Sequence, residues 1–526
     1  MVDTKYIIAY DHGTSGMKTA IVSTTGEIMG FEVEEYPVYY PEPGAAEQNP
    51  MEWWQALVNT THKLLDQNLV SVDDIVAVVT SNQMSGTIPI DKDGNLLHNC
   101  LTWLDTRGAP MIKKLCGGLI EISGYGISNL LRWIGRTGGA PTLGGKDCLA
   151  HILYLKQKQP DIYAKTWKFL DCKDWLTYKL TGKTVTSYDC GFLLWVMNNK
   201  DPNHFFYDKD LLKKVKLNVD QLPELQPSTF VVGPILPDVA GELGLNANTQ
   251  VVLGAGDMSS AAVGSGAVLD NQAHVCIGSS SWIWAHIPER KLDITHMIAS
   301  IPCAIPGRYI VGGEQETAGI NLTWLRDKVL YHKDELLVEE QVPNVYKIFD
   351  KLVAEIDPNA NNVLFTPWMF GERAPVEDST VRGGLFNLSL DTDRRYIIRA
   401  VFEGIAFNSR WLLMYTEKLA GAKMDPIMMI GGGGTSDVWC QIYADILDRK
   451  IRQVAAPKEG NSIGAAFIAS IALGYIKWED IPGLIKVKQE FSPRPEYKKH
   501  YDKLFNEYIG IYKANKDMYK RLNKLE

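Results

Sequence analysis

The composition of the chain is that of a globular protein. It has 526 residues, of which 45% are hydrophobic, 22% charged and 10% aromatic, as in ordinary folded proteins and unlike disordered chains, fibrous repeats or membrane bundles. At roughly 100 to 200 residues per domain, this length predicts two to four domains. The formal net charge of -8 repels nucleic acid, so a phosphate-bearing ligand has to be held by local groups.

The cysteines and the apolar segments favour a cytoplasmic location. Eight cysteines are scattered along the chain without a CxxC pair, which predicts neither a disulfide framework nor a zinc ribbon. Asp3, Lys5 and Asp11 interrupt the apolar core that a signal peptide would need. The longest apolar run, 462–476, is too short to span a bilayer. We therefore expect a cytoplasmic protein with no membrane or nucleic-acid partner.

The first half of the chain alternates strands and helices. Residues 6–10 and 17–22 are typical of two strands joined by the polar turn DHGTSG, which predicts a hairpin. Asn49 as N-cap and Pro50 in the first turn predict a helix over the apolar repeat that follows. A β-branched run at 75–80 predicts a buried strand, and a short strand precedes Asp93. This alternation predicts the α/β class.

The second half begins with a similar hairpin. A strand at 250–253 leads into GAGD and a small-residue helix ending near Val263. Strands at 274–277 and 282–284 then flank the turn GSSS, and a strand at 426–430 runs through GGGGTS into a helix. The two hairpins suggest a duplicated architecture. We place the domains at residues 1–268 and 269–490, followed by a helical extension at 491–526.

Two aspartates at strand ends carry the strongest chemical signal. Asp11 precedes a glycine and hydroxyl turn suited to phosphate oxygens, and it could hold magnesium through water while Lys18 reaches an outer phosphate. Asp257 follows two glycines at a strand end, where open α/β sheets bind ligands. Each motif has a plain structural alternative, an ordinary hairpin for the first and a helix N-cap for the second. Together they suit a reaction that needs one carboxylate for metal and one as base.

The segment WLDTR is a candidate site for a polyhydroxylated ligand. Trp103, Asp105 and Arg107 occupy alternate positions, so that all three can point the same way from an extended segment. The alternative is a buried Asp105–Arg107 ion pair that fixes a loop. Both can hold, with Trp103 meeting the ligand and the ion pair structural.

These motifs, in this order, resemble the FGGY family of carbohydrate kinases. The resemblance covers about residues 6–474 and includes EQNPMEWW at 47–54, NQMSG at 82–86, FGERAP at 370–375, RGGLF at 382–386 and the glycine-rich segments near 434 and 464. It implies an α/β fold with two actin-like, ribonuclease H-like ATPase domains that flank a catalytic cleft. The sugar would lie on the first domain and ATP mainly on the second.

The resemblance also implies roles for individual residues, with ATP and Mg²⁺ as cofactors. The implied site residues are Asp257 as catalytic base; Gln83, Met84, Ser85, Trp103, Asp105, Asp257 and Met258 at the sugar; Thr14, Ser15, Lys18, Gly278, Ser279, Ser280, Gly313, Gly432, Gly433 and Gly434 at ATP; and Asp11 with Asp257 at the metal.

The likeness is greatest to the xylulose kinases, although three positions depart from the usual patterns. Ser85 stands where those kinases usually have histidine, and Met258 where they usually have asparagine. Glycerol kinases carry Arg-Glu at the positions of Met84 and Ser85. We therefore expect phosphorylation of a small ketose, with D-xylulose leading and ribulose, fuculose, erythritol or glycerol as alternatives. A non-catalytic sugar sensor and a chaperone-type ATPase are the other classes, and a homodimer is one expectation for the assembly.

Overall fold

The computed structural model describes residues 4–122, 124–330 and 344–523. Two large mixed sheets organise the fold, one from each half of the chain. Within the described ranges, no helix is both long and apolar enough to cross a bilayer.

The first sheet has six strands. They are β1 (Tyr6–His12), β2 (Gly16–Ser23), β3 (Ile28–Glu35), β4 (Ile75–Asn82), β5 (Val231–Pro234) and β6 (Gln250–Gly256), in the spatial order β5-β6-β4-β1-β2-β3.

The second sheet has eight strands. They are β7 (Ala273–Ile277), β8 (Ser281–Ile287), β9 (Leu292–Asp293), β10 (Ile298–Pro302), β11 (Tyr309–Gln315), β12 (Ile427–Ile430), β13 (Ile451–Val454) and β14 (Val487–Phe491), in the order β9-β10-β11-β8-β7-β12-β13-β14.

The two sheets share one topology. In the first, the antiparallel hairpin β1–β2 lies beside the parallel strands β4 and β6. In the second, the hairpin β7–β8 lies beside the parallel strands β12 and β13. The predicted α/β class with two such domains is therefore confirmed. The first sheet ends at Gly256 and the second begins at Ala273, while the domain limits proposed from the sequence stay predictions.

Seven helices pack on the two sheets or on one another. They are α1 (Pro50–Asp66), α2 (Cys172–Thr181), α3 (Asp257–Gly264), α4 (Arg394–Ala420), α5 (Asp437–Leu447), α6 (Gly460–Ala472) and α7 (Pro495–Asn523). Other helices are Ala109–Cys116, Ile127–Thr137, Cys148–Lys158, Pro160–Lys165, Tyr188–Gly191, Lys209–Val215, Pro237–Leu243, Gly319–Trp324, Val345–Ala354 and Ile481–Leu484. Short strand pairs join Glu47–Gln48 to Cys100–Leu101, Ile88–Ile90 to Lys168–Leu170, Glu121–Ile122 to Tyr125–Gly126, Val185–Ser187 to Glu224–Gln226, Met197–Asn198 to Phe206–Tyr207, and Leu364–Thr366 to Gly384–Phe386.

The two halves meet through helices α3 and α6. Helix α6 follows the second sheet in sequence but contacts β1, β2, β4 and β6 of the first. Its Ala465, Ala466 and Ala469 share a core with alanine, valine and isoleucine side chains of those strands. A Cβ on Gly264 of α3 would overlap the carbonyl of Gly460. This close approach explains why glycine stands there, and it places the two strand-end aspartates near α6.

The local elements agree with the sequence signals. Helix α1 begins at Pro50, and the side chain of its N-cap Asn49 accepts a hydrogen bond from the Met51 amide. The strand predicted at 75–80 extends to Asn82. Helix α7 buries five large side chains against the second domain, namely Tyr501, Leu504, Phe505, Tyr508 and Tyr519.

Candidate active site

Asp11 and Lys18 face each other across the first hairpin. They are register partners in β1 and β2, and Lys18 Nζ donates to Asp11 Oδ2 at 3.0 Å. Asn461, at the start of α6, donates through Nδ2 to Asp11 Oδ1 at 3.3 Å. The buried Asp11 carboxylate is thus held on both oxygens, once from its own hairpin and once from the second half of the chain.

Asp257 lies beside this pair because β6 runs parallel to β4, which runs parallel to β1. Gly254 takes φ +72°, and a Cβ there would overlap the carbonyl of Thr80 in β4, so a glycine is required for this approach. The amide of Gly256 donates to Asp189 Oδ2 at 2.9 Å. These contacts fix the strand end from which Asp257 begins α3.

The protein environment raises the pKa of Asp257 to about 7. Burial is the main cause, and the negative charge of Asp11 adds to it. The Met258 amide, which donates to Asp257 Oδ1 at 2.8 Å, and the charge of Lys18 act in the opposite direction. A carboxylate with such a pKa can accept a proton near neutral pH, which is the property that general-base catalysis needs.

The segment 83–85 lies at the end of β4, next to Asp257. The Gln83 amide donates to the His12 carbonyl at 2.7 Å, and Gln83 Nε2 donates to Gln48 Oε1 at 2.7 Å. Gln83 Oε1 is buried and has no protein partner within the described residues. A buried acceptor of this kind fits a ligand or water donor.

Met84 and Ser85 occupy the same turn. A Cβ on Gly256 would lie 2.5 Å from Met84 Sδ, so the thioether covers the residue that precedes Asp257. Ser85 adopts φ +67°. Both side chains are buried, and Met258 is partly exposed beside them. The sulfur atoms of Met84 and Met258 give this part of the site an apolar edge.

Trp103 reaches the first phosphate turn, whereas Asp105 does not point freely into the cleft. Trp103 Nε1 donates to Thr14 Oγ1 at 3.0 Å. Asp105 is fully buried, with Oδ2 accepting from Arg107 Nη2 at 2.7 Å and from the Ala46 amide at 3.1 Å. Its Oδ1 accepts from the Arg107 amide at 3.0 Å. The structure therefore favours the structural alternative for Asp105, while the sugar-binding role of Trp103 stays a prediction.

The turns at 13–15 and 278–280 lie in equivalent places, since the first joins β1 to β2 and the second joins β7 to β8. The Gly13 amide bonds the Gly16 carbonyl at 3.0 Å, and the Gly278 amide bonds the Ser280 carbonyl at 2.9 Å. Ser15 and Ser279 are partners in neither of these turn-closing bonds. A Cβ on Gly278 would meet no atom closer than 3.7 Å. The second turn therefore has room for a ligand against its backbone.

Four other glycines with an expected ATP role differ in their surroundings. A Cβ on Gly432 would lie 4.0 Å from its nearest neighbour, which leaves this face open. A Cβ on Gly433 would lie 2.7 Å from the Ile277 side chain, and one on Gly313 would lie 3.0 Å from Ala374 Cβ. Packing alone explains these two glycines, so Gly432 is the better probe of nucleotide contact. Gly434 is buried, and its role at ATP stays a prediction.

Sequence reasoning missed several residues that the fold brings to this region. Gln48 links Gln83 to the phosphate turn, because its Nε2 donates to the Thr14 carbonyl at 2.8 Å. Asp171 Oδ1 accepts from the Gly86 amide at 2.8 Å. Asp189, Asn461 and Lys146 complete the set. Gln48 lies in the motif at 47–54 and Asn461 in the glycine-rich segment near 464, although neither was singled out. The other three residues contact the site through folds of the chain that leave no local pattern.

Asp11 and Asp257 are suitable ligands for Mg²⁺. Among the described residues, no group of three or more His, Cys, Asp or Glu side chains is arranged to hold a metal ion. Mg²⁺ commonly takes one or two carboxylates and completes its shell with water and phosphate oxygens. Two neighbouring carboxylates beside two phosphate-type turns meet that requirement.

Comparisons with known proteins identify the family. The N-terminal domain model of the FGGY family of carbohydrate kinases matches residues 6–264, and the C-terminal domain model matches residues 273–473. A xylulose kinase of Bacillus subtilis (strain 168) is 28% identical over 525 residues, which cover 98% of each chain.

Solved structures give the same assignment. A gluconate kinase from Lactobacillus acidophilus has a TM-score of 0.85 at 25% identity, covering 99% of this chain and 100% of its own. The ligand-bound xylulose kinase from Lactobacillus acidophilus has a TM-score of 0.85 at 25% identity, covering 98% of this chain and 100% of its own. Since the two family models together match most of the chain, the protein belongs to the FGGY family of carbohydrate kinases and is an ATP-dependent sugar phosphotransferase.

Proposed function

We propose that this kinase transfers the γ-phosphoryl group of ATP to a hydroxyl group of a small ketose, with D-xylulose as the leading substrate and D-xylulose 5-phosphate as its product. The observation that carries the proposal is the position of Asp257, which has a pKa raised to about 7 and lies beside the Asp11–Lys18 pair. The B. subtilis relative named a xylulose kinase supports the choice of sugar.

Asp257 acts as the general base in this proposal. Its carboxylate accepts the proton of the attacking hydroxyl. The hydroxyl oxygen bonds in line to the γ-phosphorus of ATP, the bond between this phosphorus and the bridging oxygen breaks, and ADP leaves. Phosphoryl transfer requires little covalent chemistry from the protein, so positioning and electrostatic stabilisation provide most of the rate enhancement. Asp11 would hold Mg²⁺, which would neutralise phosphate charge, and Asp257 would stand beside it with its carboxylate available as the base.

The turns and Lys18 provide the remaining phosphate contacts. Thr14, Ser15 and the turn 278–280 offer backbone amides and hydroxyl groups to phosphate oxygens, as such turns commonly do. Lys18 Nζ already lies 3.0 Å from Asp11, where it can also meet an outer phosphate. Gly432 leaves space for the adenosine moiety beside the second sheet. Because water at this site would compete with the sugar hydroxyl, we expect the domains to close over the substrates.

The sugar site is polar at Gln83 and apolar at Met84 and Met258. Gln83 has a buried oxygen without a protein partner among the described residues, which suits a sugar hydroxyl. A site built around substrate hydroxyl groups rejects ligands that leave its polar atoms unpaired. The two methionines remove that penalty at their positions, so we expect discrimination against glycerol and some tolerance among ketoses.

An assay of ATP turnover over a panel of acceptors tests the proposal. The panel is D-xylulose, L-xylulose, D-ribulose, L-ribulose, fuculose, erythritol, glycerol and D-gluconate at equal concentration. We expect the highest kcat/KM with D-xylulose. If glycerol is the best substrate by tenfold or more, the argument from Met84, Ser85 and Met258 is wrong. Binding of sugar and ATP without turnover of any panel member would instead indicate a sugar sensor.

A further inference from the structure

Lys146 is a partly buried cation that has no hydrogen-bond acceptor and no ion-pair partner among the described residues. Lys146 Nζ lies 5.9 Å from the centre of the Trp103 ring. Burial lowers the pKa of Lys146. An ammonium group that has lost part of its water without gaining an acceptor destabilises the protein, so acceptors from outside the chain are favoured at this point.

The neighbouring acids are already engaged elsewhere. Asp147 Oδ2 accepts from the Thr142 amide at 2.7 Å and from Thr142 Oγ1 at 2.8 Å. Glu316 Oε1 accepts from Arg373 Nε at 2.9 Å. The charges of Asp147 and Glu316 act on Lys146, but neither carboxylate contacts it. The acceptor that Lys146 lacks is therefore not provided by these acids.

The position of Lys146 places it at the cleft. Its ring partner Trp103 is tied to the first phosphate turn by the 3.0 Å bond to Thr14, so the ring lies beside the expected site of phosphoryl transfer. Glu316 and Arg373, which also act electrostatically on Lys146, belong to the other domain. Lys146 thus lies between the two domains, on the side of Trp103, which we predict to contact the sugar.

We propose that Lys146 is a substrate-binding, specificity-determining residue, whose ammonium group donates hydrogen bonds to oxygen atoms on the part of the sugar that lies against Trp103. The proposal rests on the proposed sugar-kinase function and deepens it. A sugar hydroxyl or a sugar carboxylate can accept these bonds, and a carboxylate forms the stronger, charge-assisted pair. A sugar that is deoxygenated at this position would leave the cation without an acceptor.

The test compares Lys146→Met and Lys146→Arg with a matched control, Lys179→Met. Lys179 also lies over a tryptophan, with Nζ at 5.2 Å from the Trp54 ring centre, but it lies on α2, outside the residues assigned to the site. Steady-state KM values for sugar and for ATP, and sugar binding followed by intrinsic tryptophan fluorescence, are measured on folded protein. Thermal melting curves identify any variant that has lost its structure.

We expect Lys146→Met to raise the sugar KM and Kd about 10-fold to 100-fold, since hydrogen bonds to charged groups contribute about 1.5–3 kcal/mol, with little change in the KM for ATP. Lys146→Arg should recover part of the loss, and Lys179→Met should behave as wild type. D-xylulose and D-gluconate are run in parallel, and a larger loss with D-gluconate identifies a carboxylate as the acceptor.

A sugar KM and Kd within about twofold of wild type for Lys146→Met, with every sugar that binds, would overturn the proposal. Failure of the proposed function is a different result, because the wild-type protein would then prefer glycerol to the ketoses or turn over no sugar of the panel. In that case the fluorescence measurement still decides whether Lys146 contributes to sugar binding.

Discussion

Replacing Asp257 by asparagine tests the chemical core of the site. The amide keeps the shape of the side chain and can still accept the Met258 amide bond, but it cannot take up the proton of the sugar hydroxyl. Loss of a positioned general base costs about a hundredfold to ten-thousandfold in rate, which corresponds to about 3 to 5 kcal/mol of activation free energy. We expect kcat to fall by this factor while sugar binding changes little.

The pH dependence gives an independent test of the same role. A base must be deprotonated to act, and the pKa of Asp257 is raised to about 7, so kcat/KM should rise with pH through this value. For a single group of this pKa, the rate at pH 6 is about one tenth of the rate at pH 8. Asp257→Asn should abolish this acidic limb and leave only the weak residual rate.

Neighbouring charges should move the acidic limb in opposite directions. The charge of Asp11 raises the pKa of Asp257, whereas the charge of Lys18 lowers it. Asp11→Asn should therefore shift the limb to lower pH and Lys18→Met to higher pH, although both variants lose phosphate or metal contacts and turn over slowly. Single-turnover rates across pH 5 to 9 measure these shifts, and Asp391→Asn at an exposed position serves as control.

The role of Asp257 would be refuted by any of three results. These are an Asp257→Asn variant that retains more than about a tenth of the wild-type kcat, a wild-type profile whose acidic limb lies near the ordinary aspartate pKa of about 4, or shifts of the same sign in the two charge variants.

Three further predictions concern the metal, the nucleotide and the junction between the halves. Asn461→Ala should raise the Mg²⁺ concentration needed for half-maximal turnover, with the sugar KM unchanged, because the Asp11 carboxylate loses the hydrogen bond that orients it; an unchanged Mg²⁺ titration would contradict this. Gly432→Val should raise the KM for ATP in a protein of normal melting temperature, whereas Gly433→Val should lower the melting temperature; the reverse pattern would contradict the packing argument. Gly264→Ala should lower the free energy of unfolding by about 1–3 kcal/mol or more, because the new Cβ would overlap the backbone. Gly135→Ala, at a helical position with open space, should leave that free energy unchanged or raise it by about 0.5–1 kcal/mol. Chemical denaturation measures both, and equal effects would contradict the reasoning.

Much of the fold was predictable because its signals are local. The N-cap and proline before α1, the β-branched run of β4 and the glycine-containing turns each depend on a few adjacent residues. The two hairpins suggested a duplication, but the equivalent strand orders of the two sheets depend on pairings between segments hundreds of residues apart. The crossing of α6 onto the first sheet is of the same kind, since its alanines and glycines give no sign of their partner.

The candidate site was predictable where function depends on a motif and unpredictable where it depends on packing. Asp11 and Asp257 were identified as candidates because each lies at the carboxyl end of a strand, next to glycine residues. Asp105 shows the limit, since a WxDxR pattern fits both a ligand contact and a buried ion pair, and only the bonds from Arg107 and Ala46 distinguish them. Asn461 illustrates the other limit, because its contact with Asp11 joins residues 450 positions apart.

In our proposal, the choice of substrate depends on residues that packing brings to the site and that no motif identifies. Membership of the family therefore does not determine which sugar is phosphorylated. The atoms that perform phosphoryl transfer lie at strand ends, where the topology places them in the same position for any acceptor. The residues that we propose to contact the sugar lie on connections, namely the segment 83–85 and the loop that carries Lys146, and such connections can change without disturbing the sheets. Relatives named for xylulose and for gluconate can therefore share this fold at comparable identity. If our proposal for Lys146 holds, this cation, which has no acceptor among the described residues, is more informative about the substrate than the motifs that identify the family.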